Sequence, residues 1–390
     1  LAWLRIVLGE DGESTTNEFL ARPSLDELHL LVPTTPPAAA AASLRRFDDD
    51  RGFVRIAAGM AGRMVARLGL LGLVPGQRIR LPRFALVEEL ANILGEPELV
   101  ASVTVGTRRR NRKPVLQLLT LSGRIVGYAK VGWSPLSQTL VANEGATLRL
   151  VEGQLPRWLD VPAVIHHGPW RGGEVVVTSP LAPPPQFASV VVGWLPAGRD
   201  HYEPDTFDAL VETIASTDAR GQQHVGELSL FDEWQRIGLT VAFGEAFDKI
   251  RERHADVVVR AGLWHGDLTP WNLSARRSTI TVWDWEFAGR GRPIGFDALH
   301  HEFERHRRAN GGSNRSAIAA TIAAAARILG PHLDPVSKSR PAIEAIVDLY
   351  LCELLAREVQ LDGQRWQGGS VAELADVAGA ALAERRAGWR

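Results

Sequence analysis

Four prolines within six residues, Pro180, Pro183, Pro184 and Pro185, divide this chain of 390 residues. Proline lacks a backbone N–H and has a fixed φ, so such a cluster cannot continue the interior of a sheet or helix. The chain has a different texture on each side of it. Upstream, short apolar and β-branched runs at 100–105, 115–121, 125–131, 161–166 and 174–177 read as strands, with a helix at 134–152 among them. Downstream, helical spacing governs 206–219, 229–261 (whole or broken near Gly244), 296–308, 316–329, 342–360 and 371–386. The cluster therefore reads as a linker from a β-rich segment to a mostly helical one.

The first 95 residues carry no chemical motif. Residues 1–8 and 28–32 read as strands, and Pro36 and Pro37 start a helix through the alanines at 38–42. Residues 53–71 and 85–94 have helical spacing, the latter closed by Gly95. This part is expected to be an added packing or capping segment, with partner binding as the lesser alternative.

Composition excludes several classes of function. A net charge of -1 gives no global field to recruit nucleic acid or an anionic membrane. A single cysteine, Cys352, rules out an intrachain disulfide framework and a cysteine-rich zinc site, and fits a reducing, cytoplasmic setting. No apolar run reaches the roughly 18 uncharged residues of a membrane span. The nearest, 56–74, carries Arg63 and Arg67 and reads as an amphipathic helix. No signal-peptide pattern marks the start. Basic charge is almost all arginine. Lysine stands only at 113, 130, 249 and 338, so each lysine invites a reason.

The chemistry concentrates in one stretch, LWHGDLTPWNLSARRSTITVWDWE, residues 263–286. Apolar runs at 263–264 and 280–283 read as a hairpin-like pair around a turn at 274–278. The first run delivers Asp267 and Asn272, the second Asp284 and Glu286. Oxygen groups converging on one point suit Mg²⁺, and Mg²⁺ suits a nucleoside triphosphate.

The spacing His265-Gly266-Asp267 to Asn272, followed by Asp284-x-Glu286, resembles the aminoglycoside phosphotransferase and choline kinase superfamily, relatives of the protein kinases. The resemblance covers about residues 100–300. Protein kinases carry H-R-D-x-x-x-x-N and D-F-G. Here Gly266 stands at the arginine position, and the aspartate lies in Val282-Trp283-Asp284-Trp285-Glu286, which points to the small-molecule branch. The resemblance implies an α+β, two-lobe protein-kinase-like fold, with a small antiparallel β lobe, a larger helical lobe, a cleft between them and an N-terminal extension. The segments would be 1–97 (extension), 98–180 (nucleotide-binding β lobe) and 181–390 (helical lobe with the catalytic loop, metal and substrate sites).

It also implies roles for individual residues. Asp267 orients an acceptor hydroxyl and takes its proton. Asn272 and Asp284 hold Mg²⁺ against the β- and γ-phosphates. Lys130 pairs the α/β-phosphates and is held by Glu144, with Glu152 the competing partner. Ser179 and Leu181 offer backbone groups to a purine base, since Pro180 has no N–H. Asp297 either braces the catalytic loop or caps its own helix. Glu286 either stands behind the metal or pairs with Arg290. The basic run at 107–113 either covers phosphates or is a solvated turn, because no G-x-G-x-x-G is present. His265 is a structural hydrogen-bonder. Trp264 and Trp283 belong to the core, while Trp271 could face substrate. His300, His301 and Glu302 point in different directions on a helix and form no metal site. The expected function is ATP-dependent phosphoryl transfer, with GTP as the alternative nucleotide. The acceptor is a small-molecule hydroxyl of aminoglycoside, sugar or amino-alcohol type. Neither nucleic acid nor membrane is a partner. The rival readings are a catalytically inactive nucleotide-binding module and a protein kinase, the latter opposed by the absence of an H-R-D, D-F-G and A-P-E set.

Overall fold

The structure is a computed structural model. It describes residues 2–8, 16–44, 53–105, 112–181, 204–238, 245–276, 279–309, 311–333, 340–362 and 378–381. Two compact units emerge, one of Leu1–Arg149 with Val161–Arg199, the other of Leu150–Asp160 with Asp200–Arg390. The content is mixed α+β, with an antiparallel main sheet.

The first unit is built on that eight-stranded sheet. Its strands are β1 (Thr16–Arg22), β2 (Leu30–Pro33), β3 (Gln77–Pro82), β4 (Leu99–Thr104), β5 (Val115–Thr120), β6 (Ile125–Gly132), β8 (Val164–Trp170) and β9 (Gly173–Thr178). They lie in the order β3-β1-β2-β4-β5-β6-β9-β8. Residues 16–82 thus lengthen the same sheet that carries Lys130, through the pairing of Leu30 with Thr104. The core fills one face, where Phe19, Leu31, Leu86, Leu90, Leu116, Leu118, Val131 and Val177 are all buried.

The N-terminal segment read as a strand is instead a helix, α1 (Ala2–Leu8). The reason is in its spacing. Trp3 and Val7 are the buried residues, four apart on one helical face, and they pack into the core beside α4 (Ala85–Leu94). Gly95 closes α4 in the left-handed conformation, at φ 65°. Helices α2 (Pro37–Ser43) and α3 (Phe53–Arg67) pack together, and α5 (Pro135–Val151) follows β6.

The second unit carries two small sheets among helices. Its helices are α6 (Pro204–Ser216), α7 (Leu230–Arg236), α8 (Glu245–His254), α9 (Phe296–Ala309), α10 (Asn314–Leu329) and α11 (Arg340–Asp362). α11 is buried nearly all round, at Ala345, Ile346, Leu349, Tyr350, Leu354 and Leu355 among others, which makes it the central helix. One sheet has the order β10-β11-β14, from β10 (Gly221–His224), β11 (Val258–Trp264) and β14 (Gly289–Pro293). The other joins β12 (Leu273–Arg276), β13 (Thr279–Val282) and the short β7 (Leu159–Asp160).

Two expectations are corrected here. The span 229–261 holds two helices, α7 and α8, with Gly244 itself outside the described residues, and its last residues are not helical but form β11. The valines from 257 onward prefer the half-buried surface that β10 and β14 offer. The apolar runs at 263–264 and 280–283 are not hairpin partners either. The hairpin is β12 with β13, Leu273 opposite Val282 and Arg276 opposite Thr279, while β11 pairs elsewhere. Of the expected helix at 371–386, only 378–381 falls within the described residues, and these are helical.

Candidate active site

In the second unit, β11 ends at Trp264 and delivers the loop that begins at His265. A register shift against β14 between Gly262 and Trp264 redirects the chain there. Gly266 adopts φ +82°, and a Cβ on it would come within 2.0 Å of the Phe287 carbonyl oxygen. No residue with a Cβ fits that position, which explains the glycine there.

Asp297, in the first turn of α9, fixes this turn. Its Oδ2 accepts from the His265 N–H at 2.7 Å and its Oδ1 from the Gly266 N–H at 3.1 Å. Of the two roles open to it, Asp297 therefore braces the loop. Burial pushes its carboxyl up to about 6, partly offset by those two backbone donors.

His265 is fully buried, and both of its ring nitrogens are occupied. Nδ1 accepts from the Asp267 N–H at 3.1 Å, and Nε2 lies 3.1 Å from the Trp283 carbonyl oxygen. That pairing requires the neutral ring with its proton on Nε2. Burial outweighs the nearby carboxylates of Asp267 and Asp284 and lowers the ring to about 4. His265 is thus a strut between the loop and the segment that carries Asp284, with no proton to exchange.

Asp267 is differently placed. Its side chain is 22% exposed. Oδ2 accepts from Asn272 Nδ2 at 3.0 Å, and Oδ1 lies 3.3 Å from His300 Nε2. Burial works against its charge, but the His300 hydrogen bond and the positive charge of Arg357 outweigh it and hold the carboxyl down to about 2. At neutral pH this carboxylate is ionised and able to accept a proton.

The register of β12 with β13 sets the remaining oxygens. Asn272 stands just before β12 and Trp283 just after β13, joined by Trp283 N–H donating to the Asn272 carbonyl at 3.2 Å. The Asn272 side-chain nitrogen is committed to Asp267, donating also to its backbone carbonyl at 2.9 Å. The amide oxygen is left as the group to meet a cation. Asp284 follows with φ 69°, a left-handed conformation that aspartate tolerates better than most residues. A carboxylate oxygen of Asp284 and one of Glu286 lie within 4.8 Å of each other. Arg290 is bound to Asp218 at 2.6 Å, so Glu286 is not its partner. Two neighbouring carboxylates supply hard oxygen donors of the kind Mg²⁺ takes.

In the first unit, Lys130 lies on β6, opposite Val115 on one side and Val176 on the other. Its Nζ meets both carboxylate oxygens of Glu144 on α5 at 2.7 Å, with Glu144 2% exposed. Glu152 lies on the exposed side. The Ser179 N–H donates to the Ala163 carbonyl at 2.8 Å, and its hydroxyl accepts from the Ala163 N–H at 3.0 Å. Both groups of Ser179 are thus committed to the sheet edge, and Leu181 is buried. From the basic run, Arg108, Arg109 and Arg110 lie outside the described residues. Arg112 donates to the carbonyls of Val105 and Leu28, binding strands rather than lying in solvent.

The tryptophans divide by burial. Trp264 and Trp285 are core, and Trp285 packs on the His265 ring at 4.5 Å. Trp283 is half-buried. Trp271, in the loop itself, is 37% exposed with the Arg308 guanidinium 5.5 Å from its ring centre. His300 was dismissed at the sequence level as a metal ligand, and it is here a partner of Asp267. Arg357 and Tyr350 carry no sequence signal that sets them apart from the other polar side chains of their helix.

No family model matches this sequence, and no curated protein matches it. Among solved structures, the chain is similar to aminoglycoside phosphotransferase APH(4)-Ia, known in a ternary complex with ADP and hygromycin B. The identity is 14%, the TM-score 0.46, and the match covers 77% of this chain and 97% of that one. It is similar also to aminoglycoside 2'-phosphotransferase-IIIa in its GDP complex, at 11% identity and TM-score 0.43, over 76% and 97% of the two chains. A third is amicoumacin kinase hAmiN with AMP-PNP, Ca²⁺ and Ami, at 13% identity and TM-score 0.39, over 73% and 88%. At these identities no residue's role is carried across. The functional reading rests on the side-chain geometry.

Proposed function

We propose that this chain transfers the γ-phosphoryl group of a nucleoside triphosphate, ATP with GTP as the alternative, to a hydroxyl of a small molecule. The observation that carries the reading is Asp267. It is an ionised carboxylate at a partly open position, oriented by the amide nitrogen of Asn272. Asp267 orients the acceptor hydroxyl and receives its proton as the oxygen attacks phosphorus. Asn272 and Asp284 would hold Mg²⁺, with Glu286 behind them. The ion, when bound, neutralises charge on the transferring group in a loose transition state. In the first unit, Lys130, oriented by Glu144, is assigned to the nucleotide phosphates. Leu181 and its neighbours remain the candidates for the base, with Ser179 contributing less because its N–H is committed.

The described carboxylates do not single out an aminoglycoside as acceptor. Glu353, one of the carboxylates available to bind amino groups, instead receives Arg292 at 3.2 Å and the Trp234 indole N–H at 2.8 Å. Sugars and amino alcohols are therefore equal candidates. No helix among the described residues is long and apolar enough to cross a membrane, and none of the site depends on one.

The test is a phosphorylation screen over sugars, aminoglycosides, amino alcohols and nucleosides, with Asp267→Ala as control and nucleotide binding followed by calorimetry. Phosphoryl transfer lost in the variant while nucleotide still binds is the expected result. Mg-nucleotide binding with no turnover on any acceptor would overturn this reading in favour of an inactive nucleotide-binding module.

A further inference from the structure

His300 lies on the buried side of α9, 3% exposed, and makes three polar contacts. Its Nε2 is 3.3 Å from Asp267 Oδ1, its Nδ1 is 3.1 Å from the Tyr350 hydroxyl, and Arg357 Nη1 is 3.3 Å from the same Nε2. Tyr350 is 1% exposed on α11, and Arg357 stands two turns further along that helix, its guanidinium 3.9 Å from the centre of the Phe287 ring. The structure assigns His300 as the positioning residue for Asp267: a neutral imidazole whose Nε2–H holds one carboxylate oxygen, with its tautomer set by the Tyr350 hydroxyl. This assignment rests on the phosphotransferase reading of Asp267 for its consequence in turnover, but not for its geometry.

The argument is one of donors and acceptors. An ionised carboxylate only accepts, so the 3.3 Å contact with Asp267 needs a proton on Nε2. Arg357 only donates, so it cannot share that nitrogen's lone pair once the proton is there. Its part is charge, placed beside the ring and the carboxylate. With the proton on Nε2, Nδ1 is the bare ring nitrogen, and among the described residues the polar group facing it is the Tyr350 hydroxyl, 3.1 Å away. Burial pushes the Tyr350 hydroxyl well above the usual range, so it keeps its proton and donates it to Nδ1.

The function follows from geometry. A carboxylate free to rotate presents its lone pairs in many directions, and a general base works only from a narrow range of them. Asn272 holds Oδ2 and His300 holds Oδ1, from opposite sources, a loop and a helix. Each oxygen keeps a further lone-pair direction for the acceptor hydroxyl. Two anchors fix the plane of the group, where one would leave it a hinge.

Three variants and one spectrum test the assignment. His300→Leu removes the donor, His300→Gln returns an N–H near the Nε2 position, and Tyr350→Phe removes the hydroxyl that selects the tautomer. Loss of an orienting outer partner typically lowers activity about 10–100-fold. That loss is expected in kcat for His300→Leu, with the KM for nucleotide within about twofold of wild type, most of kcat restored in His300→Gln, and a smaller loss in Tyr350→Phe. Equal losses in the Leu and Gln variants, or a loss confined to nucleotide KM, would overturn the proposal. Independently of turnover, ¹⁵N shifts of the His300 ring in the wild-type protein, assigned by its absence in His300→Gln, are expected to report Nε2–H with bare Nδ1. A ring protonated on Nδ1 would overturn the proposal even in an active enzyme. The Nε2–H tautomer in a protein that phosphorylates no acceptor would keep the positioning geometry and overturn the phosphotransferase reading instead.

Discussion

Asp267, after β11, and Asp297, at the start of α9, are two carboxylates in the second unit held in opposite senses. Burial opposes the charge of both. Asp267 has a histidine N–H and an arginine charge beside it, and its carboxyl is held down to about 2. Asp297 has two backbone N–H groups and greater burial, and its carboxyl is pushed up to about 6. The difference lies in partners. Backbone dipoles satisfy a buried carboxyl without fully offsetting its desolvation, whereas a charged side chain does so. Asp267, the proposed base, keeps an exposed edge, and Asp297, which fixes the loop, is sealed in.

The largest expected effect separates the two by kind. Asp267→Asn should lower turnover about 10²–10⁴-fold, the range for losing a general base, with a stability loss of no more than about 2 kcal/mol from the lost carboxylate. Asp297→Ala should act first on stability. It strands the buried N–H groups of His265 and Gly266, at about 1–3 kcal/mol each, and denaturant melts should show a loss of several kcal/mol. If Asp297→Ala melts normally, the bracing role is broken.

The pH dependence sharpens the contrast. Asp297 has a folded value above its unfolded one, so the folded state binds more protons between about pH 4 and 6. Stability linked to it is therefore full below about pH 4 and falls as pH rises through about 6, by at most about 3 kcal/mol. Asp267 has a folded value below its unfolded one. Its contribution, about 2 kcal/mol, is present above about pH 4 and is lost as pH falls toward 2. Comparing melts at pH 4.5 and 6.5, Asp297→Asn should flatten the slope and Asp267→Asn should leave it. The smallest effect belongs to the exposed pair of Arg290 with Asp218, where Arg290 is 56% exposed. Arg290→Ala should cost no more than about 1 kcal/mol and leave turnover unchanged.

Much of the site was legible because its residues are close in sequence. His265, Gly266, Asp267 and Asn272 occupy one loop, and a hairpin of ten residues carries the chain from Asn272 almost to Asp284. Local spacing of that kind survives in the sequence as a pattern. The strand β11 did not, because its partner β10, Gly-Gln-Gln-His, has no apolar alternation to mark it. Its valines read instead as the tail of a helix. The hairpin was misplaced by a few residues because apolar runs mark burial, and both runs are buried, but only pairing decides which strands are neighbours. Helix α1 was missed because a seven-residue apolar segment satisfies either period until a partner surface is supplied.

The sequence by itself determined the chemistry available: which residue types stand near the loop, where glycine is required, and that a lysine and a glutamate lie fourteen residues apart on a strand and a helix. Only the tertiary structure decided how that chemistry is held. His300 comes from α9, Tyr350 and Arg357 from α11, and they reach Asp267 across separations of 33 residues and more. Helical periodicity says which side of a helix is buried, but it does not say what faces it. That meeting is set by packing, and packing is where an ordinary aspartate acquires a fixed orientation and a displaced proton affinity.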